Sequence, residues 1–315
     1  MMLFLCKTSW HITFLLLISH SLKHTINTLT IIMKKLTFLK ITFFFLFFQS
    51  TITNAQNKIT TPYGNNKEVG EFIKVNGTKL YYEEYGKGEP LLIIHSCGTD
   101  IKAMEYQIDY FKTKYRVIAA DSRGQGKSKL KTKNLSYDLM AEDLEKLVKK
   151  LKLGSINILG WSDGGIIGLK MGIRNNVNIN KIVTMGPNLR FDKTAVNEWA
   201  MEQVKEMHSE NLKMVKKGDK SKNWEMELQL DNLLINYPGI THAELNKITA
   251  PVLITIGDRD IIKNQHAVEI FDNISKSQLC IVPGANHGIP RNSAKNFNEI
   301  ADKFLTNSFD YSIKN

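Results

Sequence analysis

Three side chains with the chemistry of a nucleophile, an acid and a base are spread along this 315-residue sequence. Residues 160–164 read Gly-Trp-Ser-Asp-Gly, with a branched apolar run before them and a helix-compatible run after them. This strand–turn–helix context is what a G-x-S-x-G nucleophile elbow requires, and its glycines avoid clashes in a sharp turn. Because a free serine hydroxyl is a poor nucleophile at neutral pH, Ser162 needs a base to activate it.

Candidates for the acid and the base follow Ser162 along the chain. The apolar run 251–256 leads into an Asp-Arg-Asp segment, and the run 278–282 leads into His287. Each candidate lies just past the carboxyl end of a predicted strand, where open α/β sheets place their sites. The order serine, acid, histidine therefore predicts a triad in which His287 accepts the Ser162 proton and an aspartate of the Asp-Arg-Asp segment, Asp258 or Asp260, orients the imidazole.

Two further segments agree with this arrangement. The strand predicted over 91–94 ends at His-Ser-Cys-Gly, where backbone donors together with the amide of Asp163 would form an oxyanion hole. The strand predicted over 116–120 is followed at 121–128 by Asp-Ser-Arg-Gly-Gln-Gly-Lys-Ser. The glycine spacing of this turn matches neither a Walker loop nor a dinucleotide fingerprint, which argues against a phosphate site.

From about Glu71 to Leu305 these motifs resemble the α/β-hydrolase family of esterases, lipases and peptidases. The turn at 121–128 matches the family's D-x-R-G-x-G-x-S pattern, and the elbow is most similar to those of valacyclovir hydrolase and its biphenyl-hydrolase-like relatives. The chain departs from the family at Ser96, where many members have glycine. The resemblance implies an α/β fold with a mostly parallel twisted sheet, helices on both faces and a small helical cap.

The same resemblance implies roles for individual residues. Asp260 occupies the family's G-x-x-D position, which favours it as the acid over Asp258, with Asp192 as a third option. The oxyanion donors would be the backbone amides of Cys97 and Asp163. In the valacyclovir hydrolase group, the acidic side chain after the nucleophile recognises the substrate's α-amino group. The Asp163 side chain is therefore a candidate substrate contact, as is Trp161; the alternative for Asp163 is that it stabilises the helix N-terminus.

The remaining sequence predicts how these residues are positioned. Asn76-Gly77 between two strand-like runs predicts a hairpin, and residues 71–187 and 246–307 are predicted to form the α/β core. The strand pattern is absent from residues 188–245. This segment is predicted to form two or three amphipathic helices inserted as a cap. Glycines at 164, 168 and 172 lie on one face of the helix predicted after Ser162. Because this face carries no side chains, the helix should approach the sheet closely.

The first 55 residues differ from the rest, with no acidic residue and five lysines. A basic segment beginning at Met33, an apolar run over 41–48 and a small-residue site ending at Ala55 are typical of a secretory signal peptide. We therefore expect translation to start at Met33 and cleavage near Ala55, with export to the periplasm or the exterior. The alternative is that residues 1–55 are retained, with their two apolar runs, 12–18 and 41–48, as a double anchor at the N-terminus. Residues 56–70 are predicted to form a polar arm, extended or disordered.

Charge and composition narrow the class of partner. The formal charge of +11 becomes modest once residues 1–55 are removed, and the lysines of 205–222 alternate with acids, as on a solvated helix face. We therefore expect a small-molecule substrate and no nucleic acid partner, with no stable membrane span after signal removal. The cysteine and histidine spacing matches no metal motif, and serine hydrolase chemistry needs no cofactor. The oligomeric state is left open.

The sequence thus predicts an exported serine hydrolase that cleaves carboxylic esters of small substrates through an acyl-enzyme. The nearest alternative is an aminopeptidase-like or aminoacyl-ester hydrolase, because Asp163 would bind a free amine. The alternative from another class is a non-catalytic binding module on a hydrolase fold. A complete triad argues against this last interpretation, because a binding module has no need of all three residues.

Overall fold

The computed structural model describes residues 59–308 and residue 311. The predicted signal region, with its start at Met33 and its cleavage site near Ala55, lies outside the described residues. The described end of the predicted arm is packed rather than disordered: Tyr63 is buried and its hydroxyl donates to Asp109 at 2.8 Å. The amides of Gly64 and Asn66 donate to the buried Glu83 carboxylate. These long-range contacts, invisible in the local sequence, hold the arm against the core.

In this part of the chain eight strands form one sheet, in the spatial order β1-β2-β4-β3-β5-β6-β7-β8. The strands are β1 Gly70–Val75, β2 Thr78–Tyr85, β3 Pro90–Ile94, β4 Arg116–Ala120, β5 Ile156–Trp161, β6 Ile179–Met185, β7 Val252–Gly257 and β8 Ser277–Val282. The pairs β1–β2 and β2–β4 are antiparallel and the others are parallel. The predicted hairpin is present, since Val75 pairs with Thr78 across Asn76-Gly77.

A short 3₁₀ helix, Ile101–Met104, and nine α-helices accompany this sheet in the described residues. The α-helices are α1 Glu105–Phe111, α2 Tyr137–Lys150, α3 Asp163–Arg174, α4 Glu198–Lys216, α5 Trp224–Ile235, α6 His242–Leu245, α7 Asn264–Asp272, α8 Ile289–Asn292 and α9 Ala294–Thr306. Segment 188–245 contains α4, α5 and α6 between β6 and β7. None of the helices in 59–308 combines the length and apolar composition of a membrane span.

The core explains why the central strands read as continuous apolar runs. Strands β3, β5 and β7 are buried on both faces, between two apolar clusters of helix and strand side chains. Helix α3 packs its bare face on the sheet as predicted. A Cβ on Gly168 would lie 3.1 Å from Ile158, and one on Gly172 would lie 2.9 Å from Ile182. The predicted mostly parallel α/β-hydrolase architecture is confirmed.

Candidate active site

Ser162 is held in a strained backbone conformation between β5 and α3. Its φ of 52° and ψ of −113° lie in a region that costs a non-glycine residue on the order of 1–3 kcal/mol. The Ser162 amide donates to the Met185 carbonyl at 2.7 Å, and the Ser162 carbonyl accepts from Ile166 at 3.0 Å. Because both backbone groups are bonded, the turn cannot relax without breaking contacts of the core.

The two motif glycines are required by close backbone contacts. A Cβ on Gly160 would lie 2.2 Å from the Gly164 carbonyl oxygen, and a Cβ on Gly164 would lie 2.2 Å from the Ile94 carbonyl oxygen. The second contact presses the start of α3 against the end of β3. It therefore places the first turn of α3 beside the loop that begins at His95.

We expect Gly164→Ala to destabilise the fold by about 1–3 kcal/mol or more, because its new Cβ meets backbone atoms that cannot move aside. Gly165→Ala is the matched control: its Cβ would lie no closer than 3.3 Å to its neighbours. The measurement is the midpoint of chemical unfolding for both variants. Equal midpoints would show that the elbow tolerates a side chain at position 164.

The structure brings Ser162, His287 and Asp260 together from three separate strand ends. His287 Nε2 lies 2.9 Å from Ser162 Oγ, and His287 Nδ1 lies 2.7 Å from Asp260 Oδ1. The same Asp260 oxygen accepts from the Ile262 amide at 3.0 Å, which holds the carboxylate in place. Since a carboxylate only accepts, Nδ1 carries the proton and Nε2 is free to accept from the serine hydroxyl.

The environment of His287 favours its charged form. Burial lowers the pKa of His287, but the Asp260 carboxylate and its hydrogen bond outweigh burial, and Asp163 adds to them, so the pKa is raised above the usual value. The Asp260 side chain is only 1% exposed and that of His287 is 18% exposed. An imidazolium that forms here is therefore stabilised in a largely dry site.

The other candidate acids point elsewhere. Asp258 Oδ1 accepts from the Gly284 amide at 2.7 Å, and so it ties the end of β7 to the turn after β8. Asp192 accepts from the amide and hydroxyl of Thr194 and lies on the surface. Only Arg259 lies between Asp258 and Asp260, yet Asp260 alone of the two faces His287 in this structure.

Trp161 contributes to the site through the backbone of His287. Its indole Nε1 donates to the His287 carbonyl at 2.8 Å, and the two rings lie 6.3 Å apart. The sequence predicted a substrate contact for Trp161. The structure shows a hydrogen bond that fixes the loop carrying the histidine, and the substrate contact stays a prediction.

Asp163 is buried at 2% exposure, and its Oδ1 accepts from the Tyr137 hydroxyl at 2.9 Å. Its Oδ2 accepts no hydrogen bond from a nitrogen or oxygen donor of residues 59–308. Burial raises the pKa of Asp163 to about 6, although Tyr137, the Cys97 thiol and the charge of His287 oppose the rise. No amide of α3 is bonded to this carboxylate within the described chain, but Asp163 lies in the first turn of α3, so stabilisation of the helix N-terminus by its charge stays the alternative.

The loop after β3 brings the predicted oxyanion donors close to Ser162. The hydrogen bonds of the described residues leave the amides of Cys97 and Asp163 without an intramolecular acceptor. Both lie where the start of α3 meets the end of β3. Burial, reinforced by the nearby Asp163 carboxylate, raises the pKa of the Cys97 thiol, so the side chain stays neutral. The positive φ of this loop is at Gly98, at 65°, and not at Ser96.

His95 anchors this loop to the turn at 121–128. The Ser122 amide donates to His95 Nε2 at 2.9 Å, so Nδ1 carries the proton and donates to the Ser96 carbonyl at 2.8 Å. Gln125 Oε1 accepts from the Gly98 amide at 2.6 Å. The D-x-R-G-x-G-x-S turn therefore supports the oxyanion loop. The sequence did not predict a role for Gln125 or for Tyr137. For Gln125 its position in the D-x-R-G-x-G-x-S motif was an available signal, and for Tyr137 there was none.

This sheet and site define a hydrolase of the α/β type, and comparison with known proteins agrees. The family model described as alpha/beta hydrolase fold matches residues 89–221. The human protein named serine hydrolase BPHL is 26% identical over 249 residues, covering 74% of this chain and 85% of its own. These matches support a place in the α/β-hydrolase family, and the fold and relatives together indicate a hydrolase.

Two other relatives show the range of proteins that share this architecture. The proline iminopeptidase PfmaB of Pestalotiopsis fici is 23% identical over 266 residues, covering 70% of this chain and 93% of its own. The solved structure of an esterase from Exiguobacterium antarcticum superposes with a TM-score of 0.66 at 24% identity. That superposition covers 76% of this chain and all of the esterase, and at this identity it establishes the fold.

Proposed function

We propose that this protein is an exported serine hydrolase that cleaves carboxylic ester bonds of small substrates. The observation that carries the proposal is the continuous path from Ser162 Oγ through His287 to Asp260, with separations of 2.9 and 2.7 Å. The names of the human serine hydrolase and the Exiguobacterium esterase agree with it. Hydrogen-bond contact between a nucleophile and a base, itself oriented by a third group, is the arrangement of nucleophilic catalysis.

In this mechanism Ser162 Oγ attacks the ester carbonyl while its proton passes to His287 Nε2. The negative charge on the carbonyl oxygen is held by the amides of Cys97 and Asp163, and the adjacent imidazolium is stabilised by Asp260. The tetrahedral intermediate collapses as the C–O bond to the alcohol breaks, and His287 donates its proton to the departing oxygen. Water then attacks the acyl-enzyme with His287 again as the base, and Ser162 is regenerated.

The direct test is reaction of the full chain with a fluorophosphonate probe, followed by a panel of p-nitrophenyl esters with short to long acyl chains. The proposal expects one covalent adduct, on the peptide that contains Ser162, with loss of ester hydrolysis in proportion to labelling. A protein that folds but neither labels nor turns over any ester would support the non-catalytic binding module instead.

A second candidate is the hydrolysis of aminoacyl esters or of N-terminal amide bonds. The observation that favours it is the Asp163 carboxylate, buried next to Ser162 with Oδ2 unused by any nitrogen or oxygen donor in the described residues. A protonated α-amino group is a donor that would fill this position. The name of the iminopeptidase relative is consistent with such a substrate. Peptide and ester substrates with the same aminoacyl group distinguish the two reactions.

We expect Asp163→Asn to lower kcat/KM for aminoacyl esters by roughly 10- to 100-fold, the worth of a charge-assisted hydrogen bond, and to spare matched acyl esters that lack the amine. Asparagine keeps the backbone amide and can still accept from Tyr137.

In the wild type, the ratio of the two kcat/KM values should fall as pH drops below about 6, because the Asp163 carboxyl then gains a proton. The ratio cancels the titration of His287, which serves both substrates. Equal losses on both substrates would exclude amine recognition by Asp163.

Export from a start at Met33 is part of the proposal and rests on the composition of residues 1–55. We expect N-terminal sequencing of the protein from its native cells to begin near Gln56, with the activity outside the cytoplasm. A native chain that retains Met1 and fractionates with the cytoplasm would contradict the export signal while leaving the hydrolase assignment intact.

A further inference from the structure

A surface cavity of about 620 Å³ is formed where the β1–β2 hairpin, the loop after residue 128 and helix α2 meet. Lysine is the only titratable residue type among the described residues that line it. We name this cavity the lysine groove, and its lysines are Lys74, Lys79, Lys129, Lys131, Lys146 and Lys150. All six are exposed. The groove contains none of the residues of the Ser162 site.

The charges of the lysine groove are not compensated by neighbouring acids. None of the six ammonium groups takes part in an ion pair within residues 59–308. The acids at the adjoining positions of α2 are already used. Asp143 pairs with the buried Arg123 at 2.6 Å, and Glu142 pairs with Arg174 at 3.0 Å. Six lysine side chains therefore line one concave surface, and their positive charges raise the local concentration of anions.

The hairpin of the lysine groove extends past the edge of the sheet at which Ser162 lies. Tyr82 of β2 pairs with Ala120 at the carboxyl end of β4, so the hairpin runs on past that end. The Lys129 amide donates to the Lys79 carbonyl at 3.1 Å, which fixes the loop beside the hairpin. A few residues on, the Thr132 carbonyl accepts from Gln229 of α5 at 3.3 Å. A ligand in the groove would thus contact a loop that also touches segment 188–245.

The other side chains that line the groove limit the chemistry of its ligand. Thr78 Oγ1 donates to the Lys129 carbonyl at 2.5 Å, and Asn76 Nδ2 donates to Asp143 at 2.7 Å, so both are already engaged. No aromatic side chain of the described chain lines the groove. Proteins that hold single-stranded nucleic acid normally stack its bases on aromatic rings. Recognition in the groove would therefore rest on charge alone, spread over several ammonium groups.

We propose that the lysine groove binds a linear polyanion whose charges lie along a flexible backbone without bases, such as an acidic polysaccharide or a polyphosphate. Each bound anionic group displaces counterions, so binding should weaken steeply with salt. A concave surface suits a chain that lies within it better than a flat bilayer. The inference does not depend on the proposed hydrolase, and Ser162→Ala should bind such a ligand as the wild type does.

The test is titration of the full chain with heparin and, separately, with inorganic polyphosphate at several salt concentrations. The test variant is K74Q/K131Q/K150Q, which removes one charge from each element of the groove. The matched control, K87Q/K276Q/K295Q, removes the same charge from exposed lysines elsewhere. A third variant, K74R/K131R/K150R, keeps the charge. We expect the test variant to lose about tenfold or more in affinity. The negative slope of log K against log salt should become shallower by about two to three. The control and the arginine variant should bind as the wild type does.

Whichever of the two polymers binds identifies the ligand as a sulfated polysaccharide or as a polyphosphate. Equal losses in the test and control variants would overturn the proposal, because net charge would then explain the binding. Tighter binding of oligodeoxythymidine than of either polymer would indicate a nucleic acid site, and binding only to phosphatidylglycerol vesicles would indicate a membrane surface. Either result, or no binding to any of these probes, also overturns it. Hydrolysis of a small neutral ester should be the same in the three lysine variants as in the wild type.

Discussion

Ser162→Ala is expected to lower ester turnover by roughly a thousandfold to a millionfold, as removal of a triad nucleophile does in known serine hydrolases. The fold should be unchanged for two reasons. Alanine keeps the Cβ and therefore pays the same backbone strain at φ 52°, and the hydrogen bonds that hold the elbow use only the Ser162 backbone. The hydroxyl itself contacts His287 Nε2. The measurements are kcat/KM on a p-nitrophenyl ester and the thermal unfolding midpoint.

Ser122→Ala is a suitable control for this experiment. Ser122 is a buried serine of the supporting turn, and its hydroxyl has no hydrogen-bond partner in the described part of the chain. Its backbone amide, which donates to His95, is retained. This variant should keep both turnover and fluorophosphonate labelling. Wild-type turnover in Ser162→Ala would remove the basis of the proposed mechanism.

Asp260→Asn is expected to cost roughly a thousandfold to ten thousandfold in kcat, with little change in substrate affinity. Asparagine can present its NH₂ group to His287 Nδ1 where the carboxylate accepted a hydrogen bond. The imidazole would then carry its proton on Nε2 and could not accept from Ser162. The loss of the carboxylate also removes the interaction that raises the pKa of His287.

Asp258→Asn is the matched control, two residues away in the same turn. Asp258 accepts from the Gly284 amide, and an asparagine oxygen can do the same, so activity should stay within a few-fold of the wild type. Combining Asp260→Asn with Ser162→Ala should cost little more than Ser162→Ala alone, because residues that act as a unit are not additive. If Asp258→Asn were the inactive variant and Asp260→Asn the active one, the acid would be wrongly placed.

Much of the fold could be predicted because its signals are local. The elbow is a short motif whose glycines are demanded by contacts inside the turn and at the adjacent strand end. The doubly buried strands appear as unbroken apolar runs, and Asn76-Gly77 supplies the two residues that a tight hairpin needs. Strand, turn and helix in alternation then imply a parallel sheet whose carboxyl ends meet at one edge.

The sequence by itself determined the architecture and the set of polar residues at this edge, because periodicity and turn chemistry act over a few residues. Only the tertiary structure decided which of them meet. Asp260 faces His287 and Asp258 does not, Trp161 donates to the His287 backbone, and Asp163 accepts from Tyr137. The packing of Tyr63 and the gathering of six lysines likewise join segments far apart in the chain. Such contacts depend on how whole elements pack and on where each side chain then points, and no short stretch of sequence encodes either.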